Sequence, residues 1–413
     1  RLIRLNTPSK TASATHWFGV NLNIDDKNKQ WEQELDVDLR YYHNDSQNSI
    51  NYSLSKANIS YRNKEVKWTF GRQLLDLNPS EKFWQLGTIN GRQGMKLLSD
   101  KREGLIGLRY ESRPKAGFKY SAFLSYLYLP GMNPSVDIKD GKMTSTSEWR
   151  KLPPSQTLIN NQVVDIHYDI EMPDISKIVL RKTLGATLEY NWGSGKVFSY
   201  AFYKPENQIR ANAEAYYDLS TEEVRVTARP IVNHHAAIGA SVHQKVGSLR
   251  LITGVDVIDP NARLGKDFDL LQEKKSTFDS EYFKIEPHYD RESYYHAQAI
   301  LDRFYYSFSF NYIQLLSSNE RNSDDLYSET VKFKRALGGQ FNISITDSWS
   351  MMFDLKYDLD RLDNIAKGET KYQINSNMIL GFGLEMIKAP DETSYWSPYR
   401  TNDTVYTSFG YHF

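Results

Sequence analysis

The sequence predicts an all-β chain in which a single antiparallel sheet closes into a barrel that crosses a membrane, with about 18 strands, or about 16 as the alternative count. Three observations carry this expectation. Apolar and polar side chains alternate with a two-residue period in segment after segment, the signature of a strand whose two faces meet different surroundings. The aromatic load is heavy, with Tyr 28, Phe 19 and Trp 8 in 413 residues of which only 40% are hydrophobic. Short links between the alternating segments interleave with long ones, as expected where one rim carries turns and the other loops.

Composition narrows the class further. Mean hydropathy is -0.60, and no run of about 18 apolar residues exists, which removes helical membrane spans. Barrel strands escape that test because alternation averages their apolarity away. Lys and Arg number 51 and Asp and Glu 51, for a formal charge of +0; without a polybasic block, nucleic acid is not an expected partner. Cys is absent, so disulfide frameworks, thiolate chemistry and cysteine metal sites are excluded together. The sequence opens at Arg1 with no recognisable signal peptide and reads as a processed or trimmed chain.

Taken in order, Trp17–Leu22 reads as the first strand and Asp25–Lys29 as a tight turn. The second strand is the most regular: Trp31, Gln33, Leu35, Val37, Leu39 and Tyr41 share one face, and Glu32, Glu34, Asp36, Asp38, Arg40 and Tyr42 the other. A solvated face of a soluble sheet would show the same pattern once; its recurrence favours a lumen. It recurs at Phe118–Tyr128, Ala186–Trp192, Phe304–Tyr312 and Trp349–Asp360, several with aromatics at one or both ends of the apolar face. Two interfacial girdles predict that placement, and a sandwich core gives no reason for it. Further strands are expected at Tyr52–Tyr61, Val66–Phe70, Leu105–Glu111, Phe198–Tyr203, Ala211–Tyr217 and Val224–Arg229. The remainder are Ala236–His243, Leu249–Val257, Tyr282–His288, Val331–Ile345 and Tyr372–Met386. Tyr52 and Leu54 are out of phase with Ala57, Ile59 and Tyr61, which calls for a bulge or a shifted register.

The final segment alternates to its end: Val405, Thr407, Phe409, Tyr411 and Phe413 on one face, Thr404, Tyr406, Ser408, Gly410 and His412 on the other. An apolar strand face that reaches the terminal carboxylate resembles the insertion signal of Gram-negative outer-membrane β-barrels, carried here by Phe409, Tyr411 and Phe413. The resemblance implies an outer-membrane location, contact with lipid and lipopolysaccharide, recognition by the barrel-assembly machinery, and both termini on the periplasmic side. Polarity then poses a problem. If Trp17–Leu22 runs outward, most long links fall on the periplasmic side, yet Ile387–Asn402 must be external if Phe413 ends inside. Either a strand has been missed or doubled, with Leu2–Ser9 a candidate, or the periplasmic connections are unusually long.

The whole of 1–413 reads as one barrel, with two segments set apart as candidate constrictions or caps. Residues 73–104 carry Phe83, Trp84 and Leu86 in polar surroundings, as a loop packed against something would need. Residues 129–185 hold Pro134, Pro153, Pro154 and Pro173, exceed an ordinary turn, and have room for a hairpin at Val163–His167. Phe70-Gly71-Arg72-Gln73, followed by Trp84, Asn90 and Arg92, resembles a motif of large porin-like barrels, a family that includes solute porins and exopolysaccharide or alginate exporters. The resemblance implies a constriction near Arg72, Gln73 and Arg92, although Arg72 shares parity with outward-facing Trp68 and Phe70 and turns inward only if the strand bulges or has ended.

No Walker loop, dinucleotide glycine pattern, zinc helix or EF-hand spacing is present, and no nucleophile is placed beside His243 or His288, so neither an enzyme nor a cofactor or metal is expected. His234 and His235 adjoin a strand, so at most one of the pair faces inward, as a lone polar imidazole in a wet lumen. The inward faces instead offer Glu32, Glu34, Asp36, Asp38, Arg40, Arg109, Lys119, Arg225, Arg229, Arg250, Lys332, Lys334, Asp354 and Asp358 as lumen-lining charges. Separated acidic and basic walls would set up a transverse field; the plainer reading is that the charges keep the interior wet. Three functions follow: a passive channel for polar or charged small solutes, an export conduit for a polysaccharide docking periplasmic partner proteins, or a plugged barrel with a structural or interaction role.

Overall fold

A computed structural model describes residues 16–260, 282–285, 291–317 and 331–411, apart from 44, 48, 96, 99, 100, 132, 160, 161 and 208. Seventeen strands form one sheet. In chain order they are β1 (Trp17–Lys27), β2 (Trp31–Tyr42), β3 (Ile50–Arg62), β4 (Val66–Gln73), β5 (Leu105–Ser112) and β6 (Phe118–Ser125). Then come β7 (Thr183–Trp192), β8 (Gly195–Pro205), β9 (His234–Val246), β10 (Leu249–Asp259), β11 (Glu292–Asp302) and β12 (Tyr306–Leu315). The last are β13 (Arg335–Thr346), β14 (Trp349–Asp358), β15 (Asn364–Gln373), β16 (Met378–Lys388) and β17 (Thr404–Tyr411). Each pairs antiparallel with its neighbours in sequence.

Strict succession sorts the links by length. At one rim they are two to five residues long (28–30, 63–65, 113–117, 193–194, 247–248, 303–305, 347–348, 374–377). At the other they run from five residues (359–363) to 57 (126–182). The polarity problem dissolves: β1 begins at the long-link rim and β17 finishes at the short-link rim, so Trp17–Lys27 runs opposite to the sense first assigned. All the long connections share a rim with 389–403. Residues 1–15, with the strand suspected at Leu2–Ser9, lie outside the described residues.

The sheet is not flat. Seventeen strands at roughly 4.8 Å spacing would span about 80 Å, yet the single link 74–104 touches strands from β2 to β16. It meets Asp36 on β2, Ser53 on β3, Asp256 on β10 and His296 on β11. It also packs into clusters with Phe123 of β6, Phe202 of β8, Ile313 of β12 and Ile387 of β16. Only a sheet wrapped around the link allows this, which is the barrel geometry. Its edges, β1 and β17, show no pairing with each other among the described residues.

Outside, the wall is apolar; inside, it is polar or covered. Phe308, Phe353, Leu355, Phe382 and Phe409 are exposed, while the alternate positions Ser309, Lys356 and Glu385 are buried. Aromatics crowd the outer face near the short-link rim: Trp31 lies 5.1 Å from Tyr61, Trp68 4.8 Å from Tyr110, and Phe118 4.5 Å from Tyr190. Trp349, Tyr372 and Tyr411 continue this belt, and Tyr41, Tyr52, Tyr126 and Tyr295 mark a second one near the long-link rim. Such belts suit the two interfaces of a bilayer. The phase break in β3 is a bulge: Asp36 faces Lys56 and Val37 faces Leu54, leaving Ser55 as the extra residue.

Three of the expected wall strands belong elsewhere. Arg210–Asp218, Glu223–Ile231 and Tyr282–Ile285 join Gln156–Ile159 and Gln162–Ile170 in a five-stranded sheet built from the long links. Gln162–Ile170 pairs parallel with Glu223–Ile231, and Val164, Ile166, Tyr168, Ala213, Ala215, Val224 and Val226 form its core. This mouth sheet has its own dry side, so its strands alternate just as the wall does. Conversely, β11 and β15 are wall strands that alternation missed.

Candidate functional site

The interior is organised by the link 74–104. Within it, Asn78 begins the short helix α1 (Pro79–Trp84): its side chain accepts from the Ser80 amide at 2.8 Å, and Pro79 fits the first turn, where no amide partner is needed. The same side chain fastens the helix to the wall. Its amide nitrogen donates to Asp256 at 2.5 Å and lies 3.0 Å from His296 Nε2, while the Tyr200 hydroxyl donates to the other Asp256 oxygen at 2.7 Å. The helix stops at Gln85, in the left-handed region (φ 56°), whose carbonyl accepts from Lys332 Nζ at 2.6 Å.

Two flanks of this segment are apolar. Phe83, Trp84, Leu97 and Leu98 pack against Ile313, Phe333, Ala336, Ile365, Ile387 and Trp396. The wall makes room with Gly338, where any Cβ would collide with the Phe83 ring. Round the barrel, Leu75, Leu77 and Ile89 pack against Phe123, Tyr200, Phe202 and Ala237. Lys204 and Asn207 close this side, donating to the carbonyls of Thr88 and Gly87 respectively.

The third flank, toward β2–β4, is polar and reached by water. Lys101 Nζ donates to Asp36 at 2.8 Å, with side chains 29% and 15% exposed. Lys56 lies 3.4 Å from Glu34, and Glu32 is held between Arg62 and Lys67. Toward the short-link rim, Arg109 and Lys119 share Glu111 at 3.1 and 3.3 Å, and Lys196 meets Glu189 at 3.0 Å. The acidic stripe of β2 is therefore matched by cations on β3, β4 and the segment itself. Walls of opposite sign facing across the lumen, as the sequence suggested, are not what the pairing produces.

Of the residues named from sequence, Glu34, Asp36, Arg109, Lys119 and Asp354 point inward and stay partly exposed. Asp38 and Arg40 pair at 2.5 Å in near-complete burial. Asp358 is fully buried and accepts the amides of Lys334, Asp360 and Arg361, so it shapes the turn after β14 and does not meet water. Lys332 and Lys334 precede β13 rather than lying on it, and Arg250 pairs with Asp302 at the short-link rim. Arg225 and Arg229 are corrected outright: they lie on the mouth sheet, bonded to Asp218 and to Glu171 and Glu214.

Arg72 does turn inward, and Gly71 is the reason. Gly71 takes φ 117°, where a Cβ would strike the Ala57 carbonyl, so the strand reverses parity at its end. Arg72 Nε then donates to Gly104 at 2.9 Å and its guanidinium lies 3.6 Å from Glu103. Arg72 and Gln73 are buried at the root of the segment, whereas Arg92 sits on it, half-buried. Phe409 and Tyr411 are exposed on the outer face, and Phe413 lies outside the described residues. His234 donates to the Lys182 carbonyl at 3.0 Å and stacks on Tyr203. Sequence reasoning missed Lys56 and Lys101, because one follows the bulge and the other sits in a link without periodicity.

No protein-family model matches the chain, and no curated protein does. Among solved structures it is similar to Pseudomonas aeruginosa OccK10 (OpdN), with 10% identity, TM-score 0.43, and coverage of 98% of this chain and 94% of that one. Acinetobacter baumannii OccAB1 matches at 9% identity and TM-score 0.44 over 96% and 94%. The outer membrane protein OpdK from Pseudomonas aeruginosa matches at 9% and 0.44 over 96% and 92%. With every one of these scores under 0.5, what this chain does has to be argued from its own wall and interior.

That interior has a clear asymmetry. Where the segment meets β6–β16 the contact is dry and close-packed, and a solute has no path through it. Where it meets β2–β4 the contact is polar: Glu103 with Ser53 and Arg72, and Gln93 with Asn51, are buried, while Lys101 on Asp36 is partly exposed, beside the partly exposed wall pair Lys56–Glu34.

Proposed function

We propose that this chain is a channel of the Gram-negative outer membrane, through which small polar or charged solutes pass passively along the charged flank of the segment 74–104. One observation carries the reading: a wall that is apolar and aromatic outside and charged inside surrounds a segment that seals it on two sides and leaves hydrated ion pairs on the third. Charges lining water cost little, and pairs between neighbouring strands brace the wall. Lys101, Asp36, Lys56 and Glu34 are the residues that would meet the solute, while Arg72 and Gln73 fix the root of the constriction. In this reading 126–182 caps the mouth, Phe409, Tyr411 and Phe413 address the barrel-assembly machinery, and outer-membrane lipid surrounds the wall.

A polysaccharide conduit is less well supported. A polymer needs a continuous wide bore and stacking platforms, whereas of the aromatic candidates Tyr42 and Phe123 are each only 4% exposed, Tyr203 is half-buried against His234, and Tyr305, though exposed, lies in the short link 303–305. The test is conductance in planar bilayers. The wild-type chain is expected to give discrete openings, and exchanging the charges in Asp36→Lys with Lys101→Asp is expected to change anion-to-cation selectivity with little loss of folded protein. A folded, inserted barrel without openings would overturn the channel reading.

A further inference from the structure

Between the mouth sheet and β7 the chain crosses the long-link rim as Glu171–Lys182. It starts on the mouth sheet, where the Glu171 amide donates to the Ala228 carbonyl at 3.0 Å, and nears the wall where the Val179 carbonyl accepts from the amide of Tyr128, three residues past the end of β6, at 2.8 Å. Met172 and Ile175 between these ties, and Leu180 directly after the second, are 71%, 78% and 63% exposed. An aliphatic side chain left that bare in water loses about 1.5–3 kcal/mol relative to burial, and here three fall within nine residues. The chain step from Leu180 to β7 and the Tyr128–Val179 bond bring this stretch to the rim where Tyr126, Leu129 and Leu184 are also exposed.

Cations stand in the same crossing. Lys177 is exposed and only loosely matched by Asp174 at 3.8 Å. Lys182 is exposed, and Arg181, half-buried with its Nε shut off from solvent, has no carboxylate partner among the described residues.

We propose that Glu171–Lys182 is a lipid clamp: Met172, Ile175 and Leu180 enter the acyl layer at the long-link rim, and Lys177, Arg181 and Lys182 take the phosphate of an anionic lipid of that leaflet. Continuity with the outer face of the wall and the charge beside it select lipid over a protein partner. An amphipathic segment lying in the interface binds by this combination of buried apolar area and attraction to anionic headgroups. The inference rests on the membrane reading given above.

The absence of Cys makes the test direct. A nitroxide on Ile175→Cys, in bilayers containing lipopolysaccharide, is expected to be relaxed more strongly by oxygen than by a water-soluble nickel complex. The same label on Leu219→Cys, 69% exposed on the mouth sheet, is expected to show the reverse. Lipopolysaccharide, and not inorganic phosphate, is expected to raise the melting temperature, and Lys177→Gln with Lys182→Gln should remove most of that rise. Water-like accessibility at 175 in a barrel that inserts and conducts would overturn the clamp alone, as would a rise unaffected by the two substitutions. Failure to insert would instead overturn the membrane reading itself.

Discussion

The segment 74–104 is held on opposite sides by opposite physics. Toward β12–β16 it is fixed by ring packing: Trp84 lies 5.0 Å from Phe333 and 4.9 Å from Phe83, and Phe333 lies 5.9 Å from Trp396. Toward β2–β4 it is fixed by Lys101 on Asp36 and Glu103 on Ser53 and Arg72. Close packing gives a position that cannot shift by small amounts, since each gap forfeits dispersion contacts outright. The Lys101–Asp36 pair, 29% and 15% exposed, is worth only about 0–1 kcal/mol and can re-form around a passing solute, whereas Glu103 and Arg72 are buried and anchor the root of the segment. The dry side therefore sets where the segment stands, and the wet side sets what meets a solute.

The largest test removes the dry side's centre. Trp84→Ala is expected to cost about 3–5 kcal/mol, as aromatic truncations in close-packed interiors do, and to leave the segment mobile. Unfolding midpoints should fall and single-channel records should become noisy. Quiet channels of unchanged midpoint would mean the segment is held from elsewhere. Gly338→Val presses on the same contact from the wall. The added side chain meets Phe83 and Trp84, so about 1–3 kcal/mol of overpacking is expected, read as a smaller drop in midpoint with wild-type charge selectivity retained.

The wet side should respond the other way round. Lys101→Gln leaves Asp36 partly exposed with Asn21, which donates to it at 2.9 Å, as its remaining partner. Stability should change by less than about 1 kcal/mol, while cation preference rises because an unmatched carboxylate now faces the path. A midpoint shift as large as that of Trp84→Ala, without a selectivity change, would place Lys101 among the structural contacts.

The wall was legible because its two faces meet different solvents, which writes period two into β2, β12 and β14. The strands that escaped notice show the limit of that signal. On β15 the outward positions are Ala366, Gly368 and Thr370, too small to read as an apolar face, and on β11 Tyr294 and Tyr295 put aromatics on both faces. Ala213, Ala215, Val224 and Val226 made the opposite error, because a dry sheet core imposes the same alternation as lipid. That Phe83 and Trp84 must pack on something was visible in the sequence. What they pack on was not, since Ile313, Phe333 and Ile387 lie more than two hundred residues away in the chain and meet them only once the sheet has curled.

A pH-dependent test concerns a polar seam in the dry side. Asp363, in the turn between β14 and β15, is 1% exposed and accepts from Ser394, which holds the link 389–403 with Trp396 and Tyr399 over the ring cluster. Burial, reinforced by Asp358 and opposed by the Ser394 hydroxyl, pushes its carboxyl up to about 6. A proton thus binds the folded chain more tightly than the unfolded one. The group favours folding below about pH 4, near its ordinary value, and that contribution is lost as pH rises through 6. Asp363→Asn keeps an acceptor for Ser394 and removes the titration. The variant and the wild type should therefore melt close together at pH 4.5, and the variant should melt higher at pH 8. A gap that stays constant across that range would mean the carboxyl is not desolvated in the seam, and the dry side would then extend no further than its rings.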